Sequence, residues 1–234
     1  MKARTEAAAV PGEREAGREY DATPYLPSRG GLAGLRRAAV DCRGCPLFRD
    51  ATQTVFGKGP ARARLMLVGE QPGDQEDVQG EPFVGPAGRL LRKALEEAGL
   101  GDEDAYITNA VKHFKFTSAP RGKPRIHKAP SLREMSACRP WLMEELRLVG
   151  PEVLVVLGGT AGKALLGSSF RVGEQRGLLL PMPPVAALDG GEAVAGTGQL
   201  LATIHPSAVL RSGDRESAFS GLVADLSVAA TALE

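Results

Sequence analysis

Along this chain, short apolar runs alternate with stretches in which apolar residues recur at helical spacing. Leu65-Met66-Leu67-Val68 ends in Gly69, Tyr106-Ile107-Thr108 ends in Asn109, Val153 to Leu157 ends in Gly158-Gly159, and Leu200 to Ile204 ends in His205. Continuous runs of this kind, closed by turn residues, predict strands buried on both faces. Between them, helices are predicted over about residues 86–98, 131–149, 160–166 and 215–232. Leu90, Leu91, Ala94, Leu95 and Ala98 form one stripe of the first helix, and Ser131 with Glu134 makes a capping box for the second. Strands alternating with helices predict a three-layer α/β/α sandwich around a central, mainly parallel sheet. Ligands in such sheets collect beyond the carboxyl ends of the strands, where Glu70, Asn109 and His205 fall.

The flanking segments read differently. Residues 1–28 mix charges of both signs with Gly and Pro and predict a flexible tail, leaving residues 29–234 as one domain. Residues 182–199 are rich in Pro and Gly and predict a surface loop to which no function is assigned. Internal repeats and coiled-coil heptads are absent. No apolar run is long enough to span a bilayer, and the N-terminus lacks the apolar core of a secretory signal, which argues against export.

Composition changes the picture only where it is uneven. The formal net charge is +1, so any contact with nucleic acid must come from a local cluster. One such cluster runs through Lys112, Lys115, Arg121, Lys123, Arg125, Lys128 and Arg133, with Phe114 and Phe116 between the charges. A solvated loop is the plain alternative. The three cysteines argue against a disulfide framework and toward metal ligation or free thiols.

Three constellations carry candidate chemistry. Cys42-Arg43-Gly44-Cys45 has the spacing that turns two sulfurs toward one metal or cluster, while Cys138, alone among apolar residues, reads as a buried small hydrophobe. Gly69-Glu70-Gln71-Pro72-Gly73-Asp74, followed by Pro82-Phe83-Val84-Gly85-Pro86, is a glycine-rich passage that lets backbone approach a ligand. It is no Walker loop, because the Gly-Lys-Ser/Thr ending is absent. Thr203-Ile204-His205-Pro206-Ser207 sets a histidine at a strand end. The only other histidines, His113 and His127, fall beside these same constellations.

Taken in order, Gly69-Glu70-Gln71-Pro72-Gly73, Pro82-Phe83-Val84-Gly85, Asn109 and His205-Pro206-Ser207 resemble the motifs of the uracil-DNA glycosylase superfamily, and most of all its iron-sulfur branch. That branch carries a Cys-x-x-Cys pair before the first strand, a third cysteine after the asparagine strand and a fourth before the long helix. Cys42, Cys45 and Cys138 stand at three of these positions, and His113 stands at the remaining one. Lys123-Pro124-Arg125-Ile126-His127-Lys128, together with Gln71, is similar to the UdgX type, which becomes covalently attached to uracil-containing DNA. The resemblance spans about residues 32–231.

The resemblance implies a set of roles. Phe83 would stack on the uracil ring, and Asn109 would read the base through O4 and N3–H. Gly69 and Gln71 would line the pocket, with Gln71 placed to exclude the thymine methyl. His205 would donate to O2 as negative charge develops there. His127 would attack C1′, oriented by Glu70, with Asp74 and Asp77 supporting the loop and Arg125 anchoring it to DNA or to protein. Ser207 and Arg211 would hold flanking phosphates. Cys42, Cys45, His113 and Cys138 would bind a 4Fe–4S cluster of structural role. The partners implied are uracil-containing DNA, single-stranded by preference, and free uracil as product. The implied setting is a bacterial, cytoplasmic monomer with no membrane contact. A turnover glycosylase with His127 idle and a zinc-stabilised DNA-binding module without chemistry are the competing expectations.

Overall fold

In the computed structural model, which describes residues 20–101, 105–117, 125–182 and 198–234, the apolar runs form one five-stranded sheet. Strand β1 (Leu65–Gly69) is central and buried along its whole length. It pairs in parallel with β2 (Ala105–Asn109) on one side and β5 (Val153–Leu157) on the other. β5 pairs in parallel with β7 (Gln199–Thr203), and β6 (Leu179–Pro181) closes that edge antiparallel to β7. Two further strands, β3 (Phe116–Thr117) and β4 (Ile126–His127), form a separate small hairpin.

Side chains leave a strand alternately to either face, so each strand feeds two cores. Met66, Val68, Leu154, Val156, Leu200 and Ala202 pack with α4 (Leu132–Val149) and α5 (Gly158–Leu166). Leu65, Leu67, Val153, Val155 and Leu201 pack on the opposite face against α3 (Pro86–Glu97) and α8 (Arg215–Ala232). The result is the α/β/α sandwich that the periodicity predicted. The capping box also forms, with Ser131 Oγ accepting from Glu134 N–H at 3.3 Å and Glu134 Oε2 accepting from Ser131 N–H at 2.6 Å.

The sequence reading missed the shorter helices. α1 (Gly31–Ala39), α2 (Asp74–Gln79), α6 (Val172–Gln175) and α7 (Pro206–Arg211) are short, and α2 is polar except for Val78. The tail boundary at residue 28 also moves. Ala22 is buried and donates its N–H to Ala137 O at 3.0 Å, so residues 20–28 dock beside α4. A Cβ on Gly44 would lie 2.7 Å from Ala22 Cα, which explains the glycine inside the Cys-x-x-Cys pair. Residues 1–19, Arg121 and Lys123, and residues 183–197 of the expected loop lie outside the described residues. Among the described residues, no helix is long and apolar enough to cross a membrane.

Candidate active site

A cavity of about 700 Å³ opens beyond the carboxyl ends of β1, β2, β5 and β7. Glu70 and Gln71 enter it from the end of β1, Asn109 from β2, Gly158 from β5 and His205 from β7, while Phe83, His127, Ser207 and Arg211 complete the wall. Gly69, Asp74, Asp77 and Arg125, also expected at the site, do not line it.

Close approach of backbone to ring shapes the floor. Phe83 has φ +55°, a left-handed conformation unusual for an aromatic residue, and its ring stacks on His205 at 5.9 Å between centroids. A Cβ on Gly69 would come within 2.6 Å of that ring, so a glycine here lets the aromatic close on the strand end. Glu76, a residue the sequence reading gave no role, holds the passage together. Its carboxylate accepts from Gly73 N–H at 3.0 Å and from Gly85 N–H at 2.7 Å.

His205 has a defined tautomer. Ser207 N–H donates to Nδ1 at 3.1 Å, and Ser207 Oγ lies 2.8 Å from the same nitrogen. Burial lowers the imidazole pKa from 6.5 to about 4, with Arg211 and His127 adding to the effect. The ring is therefore neutral near pH 7, with Nδ1 as acceptor and the proton on Nε2. Ser207, expected at a phosphate, instead orients this histidine. Gly158, at φ +88°, provides the room, since a Cβ there would sit 2.9 Å from His205 Cβ.

His127 is half exposed on β4, and its Nε2 lies 3.3 Å from Glu70 Oε1. That carboxylate oxygen and Asn109 Oδ1 are both buried without a hydrogen-bond partner among the described residues. The His127–Glu70 pair is thus close in distance but not aligned as a hydrogen bond. Two buried acceptors in one cavity are a strong demand for donors.

The hairpin that carries His127 is held by Gln71, expected in the pocket, and by Arg125, expected as an anchor. Gln71 Nε2 donates to Lys115 O at 3.1 Å and Lys128 O at 3.0 Å, and its Oε1 accepts from Lys115 N–H at 3.2 Å. Its amide therefore braces both sides of the hairpin while the residue also lines the cavity. Arg125 packs over Phe114 and Phe116 and pairs with Asp74 at 2.5 Å and Asp77 at 2.7 Å. Asp77 is wholly buried and also accepts from Thr52 N–H at 3.0 Å. Asp74 and Asp77 thus support the loop, and Arg125 anchors it to protein, the second of the two anchors expected for it.

The basic segment is corrected in the same way. Lys112 is buried against Glu145, and Lys115 pairs with Glu134 at 2.7 Å. A lysine three residues beyond a strand-end asparagine, and a lone glutamate on the apolar face of α4, were the available signals. Neither says which residue it meets.

Cys42, Cys45 and Cys138 share a third buried cluster with Trp141, and Cys42 and His113 line one cleft of about 190 Å³. Among the described residues, no group of three or more His, Cys, Asp or Glu converges on a single ion. A four-iron cluster is bulkier than an ion, and its ligands stand apart. Burial pushes the Cys45 thiol up to about 11 and the Cys138 thiol up to about 12, so thiolates there require a compensating cation. Two N–H groups already aim at sulfur, Trp141 Nε1 at Cys42 (3.2 Å) and Lys112 N at Cys138 (3.3 Å). Thr54 Oγ1 donates to Ala39 O and lies 2.9 Å from His113 Nε2, where its oxygen can only accept, so a neutral His113 keeps its lone pair on Nδ1. Burial lowers His113 to about 4 and keeps it neutral. This donor set fits an iron-sulfur group.

Comparison with known proteins agrees with this geometry. The profile of the Uracil DNA glycosylase superfamily matches residues 56–227. A Type-4 uracil-DNA glycosylase of Thermotoga maritima is 35% identical over 75% of this chain and 81% of its own length. The Type-4 protein of Pyrobaculum aerophilum is 33% identical over 77% of this chain and 85% of its own, and a Type-5 protein of the same organism is 30% identical over 69% and 71%.

Proposed function

The chain belongs to the uracil DNA glycosylase superfamily, and from that membership we propose that it is a DNA-repair enzyme that excises uracil and then becomes attached to the abasic site through His127. The single observation that carries the reading is the joint presence, in one cavity, of His127, the unpartnered Glu70 Oε1 and the unpartnered Asn109 Oδ1.

Asn109 Oδ1 accepts the N3–H that uracil has and cytosine lacks, while its amide donates to O4. Phe83 stacks on the flipped base. As the C1′–N1 bond breaks, its electron pair passes to the uracil ring, and the Nε2–H of neutral His205 donates to O2. One preorganised donor of this kind contributes about 3 kcal/mol. A lone pair on the His127 imidazole then forms the bond to C1′. The imidazolium gives up its remaining N–H proton beside Glu70, which balances the proton gained by departing uracil.

Cys42, Cys45, Cys138 and His113 would hold a 4Fe–4S cluster, which would tie the segment after α1 and the segment after β2 to α4 and would take no part in base removal. The substrate is uracil-containing DNA, preferentially single-stranded, and the protein acts as a cytoplasmic bacterial monomer.

A second reading, ordinary turnover, is favoured by the unpartnered Glu70 Oε1, which can equally hold an attacking water. Denaturing electrophoresis of the protein with uracil-containing single-stranded DNA separates the two. Attachment yields one stable protein-DNA band per enzyme, lost in His127→Ala. Turnover yields no band and uracil beyond one equivalent, which would refute attachment. Iron and sulfide analysis of anaerobically purified protein tests the cluster, and a colourless zinc-loaded protein would defeat it.

A further inference from the structure

Next to Asn109, among residues that do not line the cavity, lies a buried ion pair that the chemistry above does not use. Lys112 and Glu145 are 1% and 0% exposed. Glu145 accepts from Tyr106 Oη at 2.8 Å, Thr108 Oγ1 at 3.0 Å and Gly57 N–H at 3.2 Å, as well as from Lys112 Nζ. Lys112 Nζ donates its other two protons to Thr108 Oγ1 and to the main-chain oxygen of Asn109, both at 2.7 Å. All three ammonium protons are thus committed.

The contact with Asn109 O is the one with consequences for the site. The peptide unit that follows Asn109 is gripped at both ends, its C=O by Lys112 Nζ and its N–H, which belongs to Ala110, by Gly69 O at 2.9 Å. Val111 N–H then donates to Glu70 O at 3.0 Å, and Lys112 N–H donates to Cys138 Sγ. Asn109 is the last residue of its strand, where the ladder holds the following N–H but the C=O is held by Lys112. Its Oδ1 has no partner to hold it in place. The orientation of the side chain is therefore inherited from the backbone, and Lys112 fixes that backbone.

We propose that Lys112, held by Glu145, is a positioning residue that sets the angle at which Asn109 meets the base. The proposal rests on the reading of the cavity as a uracil site. A displaced Asn109 would still admit the base but would mismatch it as the bond breaks, so the loss should fall on the rate at saturation and spare binding.

The test uses the full chain and single-turnover release of uracil from single-stranded DNA. Lys112→Met removes the donor but strands a buried carboxylate. The pair Lys112→Met with Glu145→Gln removes both charges while leaving an amide oxygen for Tyr106, Thr108 and Gly57. Tyr106→Phe serves as a control, since it removes a donor to Glu145 without touching Asn109 O. The expected result is a saturating rate at least tenfold lower in the folded double variant, with the half-saturating DNA concentration within twofold. Tyr106→Phe should lower the melting temperature and keep the wild-type rate per active site. A folded double variant with the wild-type saturating rate overturns the proposal. So does a loss that merely tracks the folded fraction, or an equal loss in Tyr106→Phe. Absence of uracil release from the wild type would sink the uracil reading itself, a separate and distinguishable failure.

Discussion

Gln71→Ala separates base removal from capture. The native amide makes three hydrogen bonds to the hairpin, to Lys115 O, Lys128 O and Lys115 N–H. At about 0.5–1.5 kcal/mol each they sum to roughly 1.5–4.5 kcal/mol, and water reaching these part-buried groups recovers about half. Lys128 N–H to Lys115 O and the Arg125 anchors persist, so the hairpin shifts rather than unfolds. A cost of about 0.8–2.2 kcal/mol to the His127 position lowers capture by roughly 4- to 40-fold, because each 1.4 kcal/mol is tenfold. Base removal depends on Asn109, Phe83 and His205 and should change less than about threefold. Free uracil and denaturant-resistant complex are measured in the same time course. Uracil should run ahead of complex in the variant and match it in the wild type. Equal slowing of both, or unchanged attachment, refutes the reasoning.

Other expectations follow from the same geometry. Protonation of His205 would break its acceptance from Ser207 N–H. Its folded pKa of about 4 lies below the unfolded 6.5, so its stabilising effect is whole above about pH 6.5 and is lost as pH falls toward 4, to a limit of roughly 3 kcal/mol. Thermal melts from pH 7 to 4 check this, and a wild-type slope no steeper than that of His205→Asn would contradict it. Arg125→Ala leaves buried Asp77 without its cation and should cost near the lower end of about 3–5 kcal/mol, since Thr52 N–H remains; urea melts should show it partly restored by adding Asp77→Asn. Gly158→Ala must place a side chain at φ +88° against His205, and should cost about 1–2 kcal/mol in denaturant melts while slowing uracil release. Cys138→Ser should lower iron content and melting temperature together, while leaving uracil release per active site within about twofold.

The sheet and the cavity were legible because the apolar runs stop abruptly, and the residues at which they stop, Glu70, Asn109 and His205, are those that line the site. The apolar stripe of α3 and the capping box of α4 were legible for a like reason, being local signals. What could not be read was the partner of each charge. Lys112 meets Glu145 across 33 residues and Arg125 meets Asp74 across 51, and no local pattern encodes such pairings. Gln71 lines the cavity as expected, but its amide also bonds the hairpin, a contact across 44 and 57 residues that sequence spacing does not reveal. α2 was hidden because a short polar helix leaves no stripe.

The inward use of the basic segment has a consequence for how the protein holds DNA. Three cations that would otherwise neutralise phosphates, Lys112, Lys115 and Arg125, are spent on Glu145, Glu134, Asp74 and Asp77. Each phosphate contact on a single strand contributes about 0.7 to the slope of log affinity against log salt, so their withdrawal flattens that slope by roughly 2. Correspondingly fewer counterions are released on encounter, and the complex gains less from low salt. Residence on the lesion then depends more on the extruded base and, if His127 captures the sugar as proposed, on a bond that ionic strength does not loosen.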